Sequence, residues 1–262
     1  MRTFFLTLLI AYGVLALILA ALQRPLIYPG TSRDGRAWDA PPSGFETVEV
    51  EASDGLALNA LWKPPADGGR VLVFFHGNGD SAHNTARWVG PALGEGDGAL
   101  LSSYRGYAGN PGAPSEDGLT ADGEGALAFV RAQGIEDARI IPGGISIGTG
   151  VASHVATLGE FAGLAMVAPF TSLPDAASDQ LWWLPAGLLV VDRYPTIDRI
   201  GEAKGDLLIV HGSADTIIAA DHSRRLAKAR PDARLEIVEG AGHNDIGGPA
   251  SAILADWLAA TR

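Results

Sequence analysis

From Arg70 to the C-terminus the chain alternates short, unbroken apolar runs with longer amphipathic stretches, and this rhythm restricts its fold more than any other feature. Arg70-Val71-Leu72-Val73-Phe74-Phe75 is the first run, and others follow at 98–103, 139–143, 163–168, 206–210 and 234–238. A strand that is apolar at successive positions has to be covered on both faces. Helix candidates near 82–93, 121–133, 147–158, 219–229 and 248–260 supply that cover. Strand, helix and strand in succession imply right-handed crossovers, and hence a parallel, doubly wound sheet whose ligand site lies at the carboxyl ends of the strands. Ahead of them, 45–51 and 56–62 alternate apolar and polar residues around Ser53-Asp54-Gly55, the pattern of an antiparallel hairpin at the sheet edge. The expected class is α/β.

Composition narrows the chemistry. A length of 262 residues suits one large catalytic domain, and a formal charge of -11 leaves no basic face for nucleic acid. With no cysteine, a disulfide framework, a thiolate metal site and a Cys nucleophile are all excluded.

Residues 3–22 carry no charge, and their length matches a helix crossing roughly 30 Å of hydrocarbon, so 1–22 is expected to be a single-pass membrane anchor. The competing reading is a cleaved signal peptide with Arg2 as its basic start, but the run is longer than a usual signal core and ends in no clear A-x-A site. Arg2 lies on one side and Arg24, Arg33 and Arg36 on the other, which leaves the side of the membrane open. Pro25, Pro29, Pro41 and Pro42 mark 23–44 as a linker, and 45–262 as the folded domain. Within that domain, 170–194 is too long for a simple crossover and is expected to form a small cap or lid. The alternative is an ordinary crossover helix that keeps Trp182 and Trp183 in the core.

The densest chemistry lies at Gly143-Gly144-Ile145-Ser146-Ile147-Gly148-Thr149-Gly150, where a strand candidate turns into a helix candidate through G-x-S-x-G. Such a turn exposes the serine hydroxyl at the positive end of the following helix, a favourable place for a developing oxyanion. A serine hydroxyl is a weak nucleophile without a base, and the base needs a carboxylate to orient it. His243 follows the last strand candidate on a glycine-rich loop, and Asp215 follows the preceding one. Ser146, Asp215, His243 is the order the α/β-hydrolase fold requires. The backbone N–H groups of Asn78, in Phe75-His76-Gly77-Asn78-Gly79, and of Ile147 are the expected oxyanion donors, with His76 bracing that loop. Of the other histidines, His154 and His211 read as structural, whereas His83 and His222 begin helices and are expected to be solvated. No histidine pair or acidic loop has metal-binding spacing, so neither a metal nor another cofactor is expected.

Together with Leu26-Ile27-Tyr28-Pro29, Ser103-Tyr104-Arg105-Gly106-Tyr107-Ala108-Gly109 and His211-Gly212-Ser213-Ala214-Asp215, these motifs make the chain resemble the α/β-hydrolase superfamily. More narrowly, it is similar to the membrane-anchored, alpha/beta-hydrolase domain-containing serine hydrolases. The resemblance implies an α/β-hydrolase fold with a small cap, and an esterase, lipase or thioesterase working through an acyl-enzyme. It implies substrates such as monoacylglycerols, lysophospholipids or palmitoylated proteins, with serine aminopeptidases sharing similar motifs. Ile145 departs from the polar or aromatic residue common there.

Arg105 reads as a structural hydrogen-bonding residue, with an anionic head-group site as the alternative. Trp182, Trp183 and Leu184 are the expected substrate-binding segment, either meeting a bilayer or lining an acyl pocket. The expected partners are therefore a small-molecule or lipid acyl ester and the membrane, with oligomeric state left open. A non-catalytic, membrane-tethered binding protein of the same fold is the reading from a different class.

Overall fold

A computed structural model describes residues 1–30 and 38–261. Its centre is a mixed sheet of β1 (Glu46–Glu51), β2 (Ala57–Lys63), β3 (Val71–Phe75), β4 (Gly98–Ser102), β5 (Ile140–Ile145), β6 (Gly163–Val167), β7 (Asp206–Gly212) and β8 (Arg234–Val238). The spatial order is β1-β2-β4-β3-β5-β6-β7-β8. The β1–β2 hairpin and the β2–β4 pair are antiparallel, and the pairs from β4 to β8 are parallel. The chain runs from β3 out to β4 and then crosses back to β5, so the strand order reverses around β3. Such a reversal opens a crevice at the carboxyl ends of the strands.

The helices are α1 (Arg2–Ala21), α2 (Gln23–Ile27), α3 (Ala82–Val89), α4 (Glu116–Ala132), α5 (Ile147–Val155), α6 (Leu173–Gln180), α7 (Ala186–Leu189), α8 (Thr196–Arg199), α9 (Asp221–Ala229) and α10 (Gly247–Ala260). They cover both sheet faces, as the unbroken apolar runs require. In β3, Val71, Val73 and Phe75 pack on one side with Leu127 of α4, Val151 of α5 and Leu226 of α9. Leu72 and Phe74 pack on the other with Val89 of α3 and Leu254 of α10. Taking each such side chain out of water contributes about 2 kcal/mol, which anchors β3 at the crevice from both faces.

Several boundaries differ from expectation, each for a local reason. Helix α4 starts at Glu116 rather than 121, because the Ser115 hydroxyl accepts from the Gly118 N–H and two acidic residues occupy the first turn. His222 is fully buried rather than solvated: it hydrogen-bonds Thr171 and faces Asp179, tying α9 to the loop after β6. Arg105 is structural, clamping Asp54 of the hairpin turn at 2.7 and 3.0 Å and Asp122 of α4 at 2.8 Å.

At the N-terminus, α1 is apolar on every side, with a mean hydropathy of 2.6 and none of its residues buried. It is long enough to cross a membrane. The stretch expected as a linker is not free where it begins. It forms α2 and then buries Tyr28, whose hydroxyl donates to Asp192 at 2.7 Å and lies 3.0 Å from that of Tyr194. Burial pushes the Tyr28 and Tyr194 phenols up, so both stay neutral. Residues 31–37 of that linker, with Arg33 and Arg36, lie outside the described residues, as does the expected final residue of the domain, 262.

The insertion at 170–194 holds α6 and α7, joined by a reversal at Leu181–Pro185. It is not a single crossover helix, and its tryptophans are not core: Trp182 is 83% exposed and Trp183 42%.

Candidate active site

Ser146 sits between β5 and α5 with φ 55° and ψ -122°, a backbone region that non-glycine residues rarely occupy. The surroundings enforce it. The Ser146 N–H donates to the Val167 carbonyl at 2.9 Å, and the Ser146 carbonyl accepts from the Thr149 hydroxyl at 2.7 Å. A Cβ at Gly144 would fall 2.3 Å from the Gly148 carbonyl oxygen, and one at Gly148 would fall 2.1 Å from that of Phe75. The two glycines let the turn close onto β3, and the closed turn holds Ser146 at the head of α5.

His243 and Asp215 come to it from the loops after β8 and β7. His243 Nε2 lies 2.9 Å from Ser146 Oγ, and His243 Nδ1 lies 2.6 Å from Asp215 Oδ2. The Asp215 side chain is wholly buried, and its other oxygen accepts from the N–H groups of Ile217 and Ile218, each at 2.8 Å. Burial by itself would raise its pKa. Hydrogen bonds from His211, His243 and Ile218 outweigh that and hold the carboxyl well below the usual carboxylate range. A carboxylate can only accept, so His243 Nδ1 carries a proton, and in the matching tautomer Nε2 presents its lone pair to the Ser146 hydroxyl.

His211, expected to be structural at its strand end, also supports Asp215 directly. Fully buried, its Nε2 donates between the Ile218 carbonyl at 2.9 Å and Asp215 Oδ2 at 3.2 Å, while its Nδ1 accepts from Ser223 at 2.6 Å. The placement of His211 at the end of β7, four residues before Asp215, was the only available signal.

The Asn78 loop is braced from three directions. Tyr107 donates to Asn78 Oδ1 at 2.7 Å, the Asn78 amide donates to the Ile27 carbonyl, and Tyr104 donates to the His76 carbonyl at 2.8 Å. His76 Nδ1 also meets the Gly77 carbonyl at 2.7 Å. Ile147 is the first residue of α5, so its N–H has no acceptor within the helix. Asn78 and Ile147 both face a cavity that contains Ser146.

Among the described residues, two cavities meet at Ser146. The wider, of about 750 Å³, is lined by Asp80, Asn84, Trp88, Ile145, His243 and Asn244 among others. The narrower, of about 190 Å³, runs under α6 between Ile147, Phe170, Leu173, Ala177 and Ile218. Trp182, Trp183 and Leu184 line neither. Leu184 lies instead in a separate groove against α1, because the reversal at Leu181–Pro185 carries this segment away from the serine. Among the described residues no group of three or more His, Asp or Glu is placed to hold a metal ion.

No family model matches the chain. It is 36% identical over 241 residues to an uncharacterized protein of Mycobacterium tuberculosis, covering 90% of this chain and 85% of that one. It is 30% identical over 221 residues to alpha/beta hydrolase domain-containing protein 17C of Xenopus tropicalis, covering 80% of this chain and 68% of the relative. The chain belongs to the α/β-hydrolase family. This α/β hydrolase also shares its fold with an esterase of Pyrococcus furiosus, Pf2001, at a TM-score of 0.67 and 17% identity over 87% of this chain and 97% of that one.

Proposed function

We propose that this α/β hydrolase is a membrane-anchored serine hydrolase that cleaves carboxylic esters or thioesters of medium- or long-chain acyl groups. The observation that carries the reading is the unbroken relay from Ser146 Oγ through His243 to buried Asp215, with spacings of 2.9 and 2.6 Å. In the proposed mechanism Ser146 Oγ attacks the acyl carbonyl while His243 Nε2 takes its proton, and Asp215 stabilises the imidazolium. The N–H groups of Asn78 and Ile147 receive the oxyanion. His243 then protonates the departing alkoxide or thiolate, leaving an acyl-serine. Water, deprotonated by His243, attacks that acyl-serine and frees the acid and Ser146. The chain's own side chains handle each proton, and no cofactor enters the scheme.

Two features support the substrate class and the anchor. The narrow cavity at Ser146 has apolar walls suited to an acyl chain, and α1 has the length and hydropathy of a membrane-spanning helix. The test uses a fluorophosphonate probe on the full chain in detergent. The wild type should label and Ser146→Ala should not, with unfolding temperatures alike; labelling that survives the substitution would overturn the assignment. Loss of ester turnover on the order of 10⁵-fold or more should accompany the loss of label.

A further inference from the structure

The narrow cavity abuts a further apolar space. Ile27 and Ala177, which form its outer wall, also line a third space of about 120 Å³ bounded by Leu19, Ala20, Leu26, Leu184 and Leu189 among others. That groove lies between the C-terminal turn of α1 and the segment from α6 to α7. Among the described residues its only polar lining residue is Gln23, and the Gln23 amide is already engaged: it donates to the Ala20 and Leu189 carbonyls and accepts from the Val191 N–H at 2.8 Å. Ser146, the narrow cavity and the groove thus lie in a row with apolar walls that ends beside α1, the side chains of Ile27 and Ala177 standing between the two spaces.

The place where the line ends is informative. The Tyr12 hydroxyl donates to the Trp183 carbonyl at 3.0 Å, so the reversal at Leu181–Pro185 reaches alongside the middle of α1. The ten residues from Tyr12 to Ala21 rise about 14 Å along the helix, close to half the hydrocarbon thickness of a bilayer. The outward side chains of this segment are apolar: Trp182 is 83% exposed, Leu188 87% and Val191 65%. An exposed apolar ridge fixed at that depth on a bilayer-crossing helix sits in lipid rather than in water.

We infer that the substrate's acyl chain extends from Ser146 through the narrow cavity into the groove beside α1, so that the enzyme takes its substrate laterally from the hydrocarbon layer. This rests on the serine-hydrolase reading and adds a route and a membrane-lipid source for the acyl group. The occupant follows from the ends of the line: one is the acyl-accepting hydroxyl and the other is the anchor, and a saturated chain is the ligand that needs no polar partner between them.

The test is a chain-length profile of the full chain in nanodiscs, using butyryl, octanoyl and palmitoyl p-nitrophenyl esters. Each methylene enriches the ester in the nanodisc bilayer by about fourfold, so at equal total ester an enzyme that draws its substrate from the bilayer should favour palmitoyl strongly. Ala177→Phe, at the junction, should lower the palmitoyl-to-butyryl ratio by more than tenfold. Ala20→Trp, in the groove alone, should lower the palmitoyl-to-octanoyl ratio and spare the octanoyl-to-butyryl ratio. Fluorophosphonate labelling of both variants checks that the site is folded. If the wild type fails to label, the serine-hydrolase reading itself fails. If all three proteins label and share one profile, the route is wrong and that reading stands. Trp182 gives a readout independent of activity: by difference from Trp182→Phe, its emission should be quenched by lipids brominated on their chains. Quenching by aqueous iodide instead would place the groove mouth in water and overturn the lateral route.

Discussion

The turn at Ser146 and the insertion at 170–194 face each other across the narrow cavity, yet they are held in opposite ways. Backbone against backbone defines the turn: Gly144 against Gly148, and Gly148 against Phe75, leave no room for one added methyl group. The insertion is defined by a few side chains contributed from far away in sequence, Gln23, Tyr28 and Tyr12, while its outer surface carries exposed apolar groups. One region is over-determined and specifies a chemistry. The other is lightly tethered and is shaped by what surrounds it.

That contrast can be tested by perturbing each side. The largest effect belongs to Asp215→Asn, which keeps the shape but favours the wrong His243 tautomer; kcat on an ester substrate should fall roughly 10⁴-fold. The same substitution has a pH signature. The folded-state pKa of Asp215 is depressed, so the stability contributed by its carboxylate is complete above the ordinary carboxylate value of about 4 and is lost as the pH falls toward the lower folded value. Urea unfolding should therefore show a gap between wild type and Asp215→Asn that narrows below about pH 4.

Next comes Gly148→Ala, whose methyl group meets the Phe75 carbonyl; a loss of about 3 kcal/mol is expected by thermal or urea unfolding. Gly77→Ala is the matched control, since its Cβ would meet only ordinary contacts at 3.6 Å and beyond. Equal losses in the two would remove the case for an over-determined turn.

On the lightly tethered side, Tyr28→Phe removes hydroxyl bonds to Asp192 and Tyr194 and should cost about 1–2 kcal/mol. Trp182→Ala, at an exposed site, should stay within about 0.5 kcal/mol in unfolding measurements. A larger loss would mean that the insertion is stabilised by its own surface.

The same contrast explains what could be read in advance. The sheet was legible because β3 to β8 are short runs bounded by turns, and their period separates strand from helix. Ser146, Asp215 and His243 were legible as a set because each follows a different strand end, and the crossover rule brings those ends together. The cap segment was legible only as an interruption. Leu181-Trp182-Trp183-Leu184 has the composition of a core helix, and nothing local indicates that α1 holds it facing outward. Likewise, Tyr28 reads as part of a proline-rich tether until Asp192 and Tyr194, more than 160 positions away, appear beside it. His211 was misplaced in importance rather than in structure, because its value lies in a second bond, to Asp215, that strand position alone does not reveal.

The burial of the Leu26-Ile27-Tyr28-Pro29 segment decides where the chain can be cut. Composition places the start of the folded part at about 45, and a soluble version begun there would discard the Ile27 carbonyl that accepts from Asn78 and the Tyr28 hydroxyl that satisfies Asp192. Tyr194 packs its ring onto Gly150 of α5, where a Cβ would lie only 2.6 Å away, so the loss of Tyr28 would be felt at the helix that carries Ser146. A truncation made for solubility has to fall ahead of Gln23, between the exposed apolar helix and the first residue that closes the site.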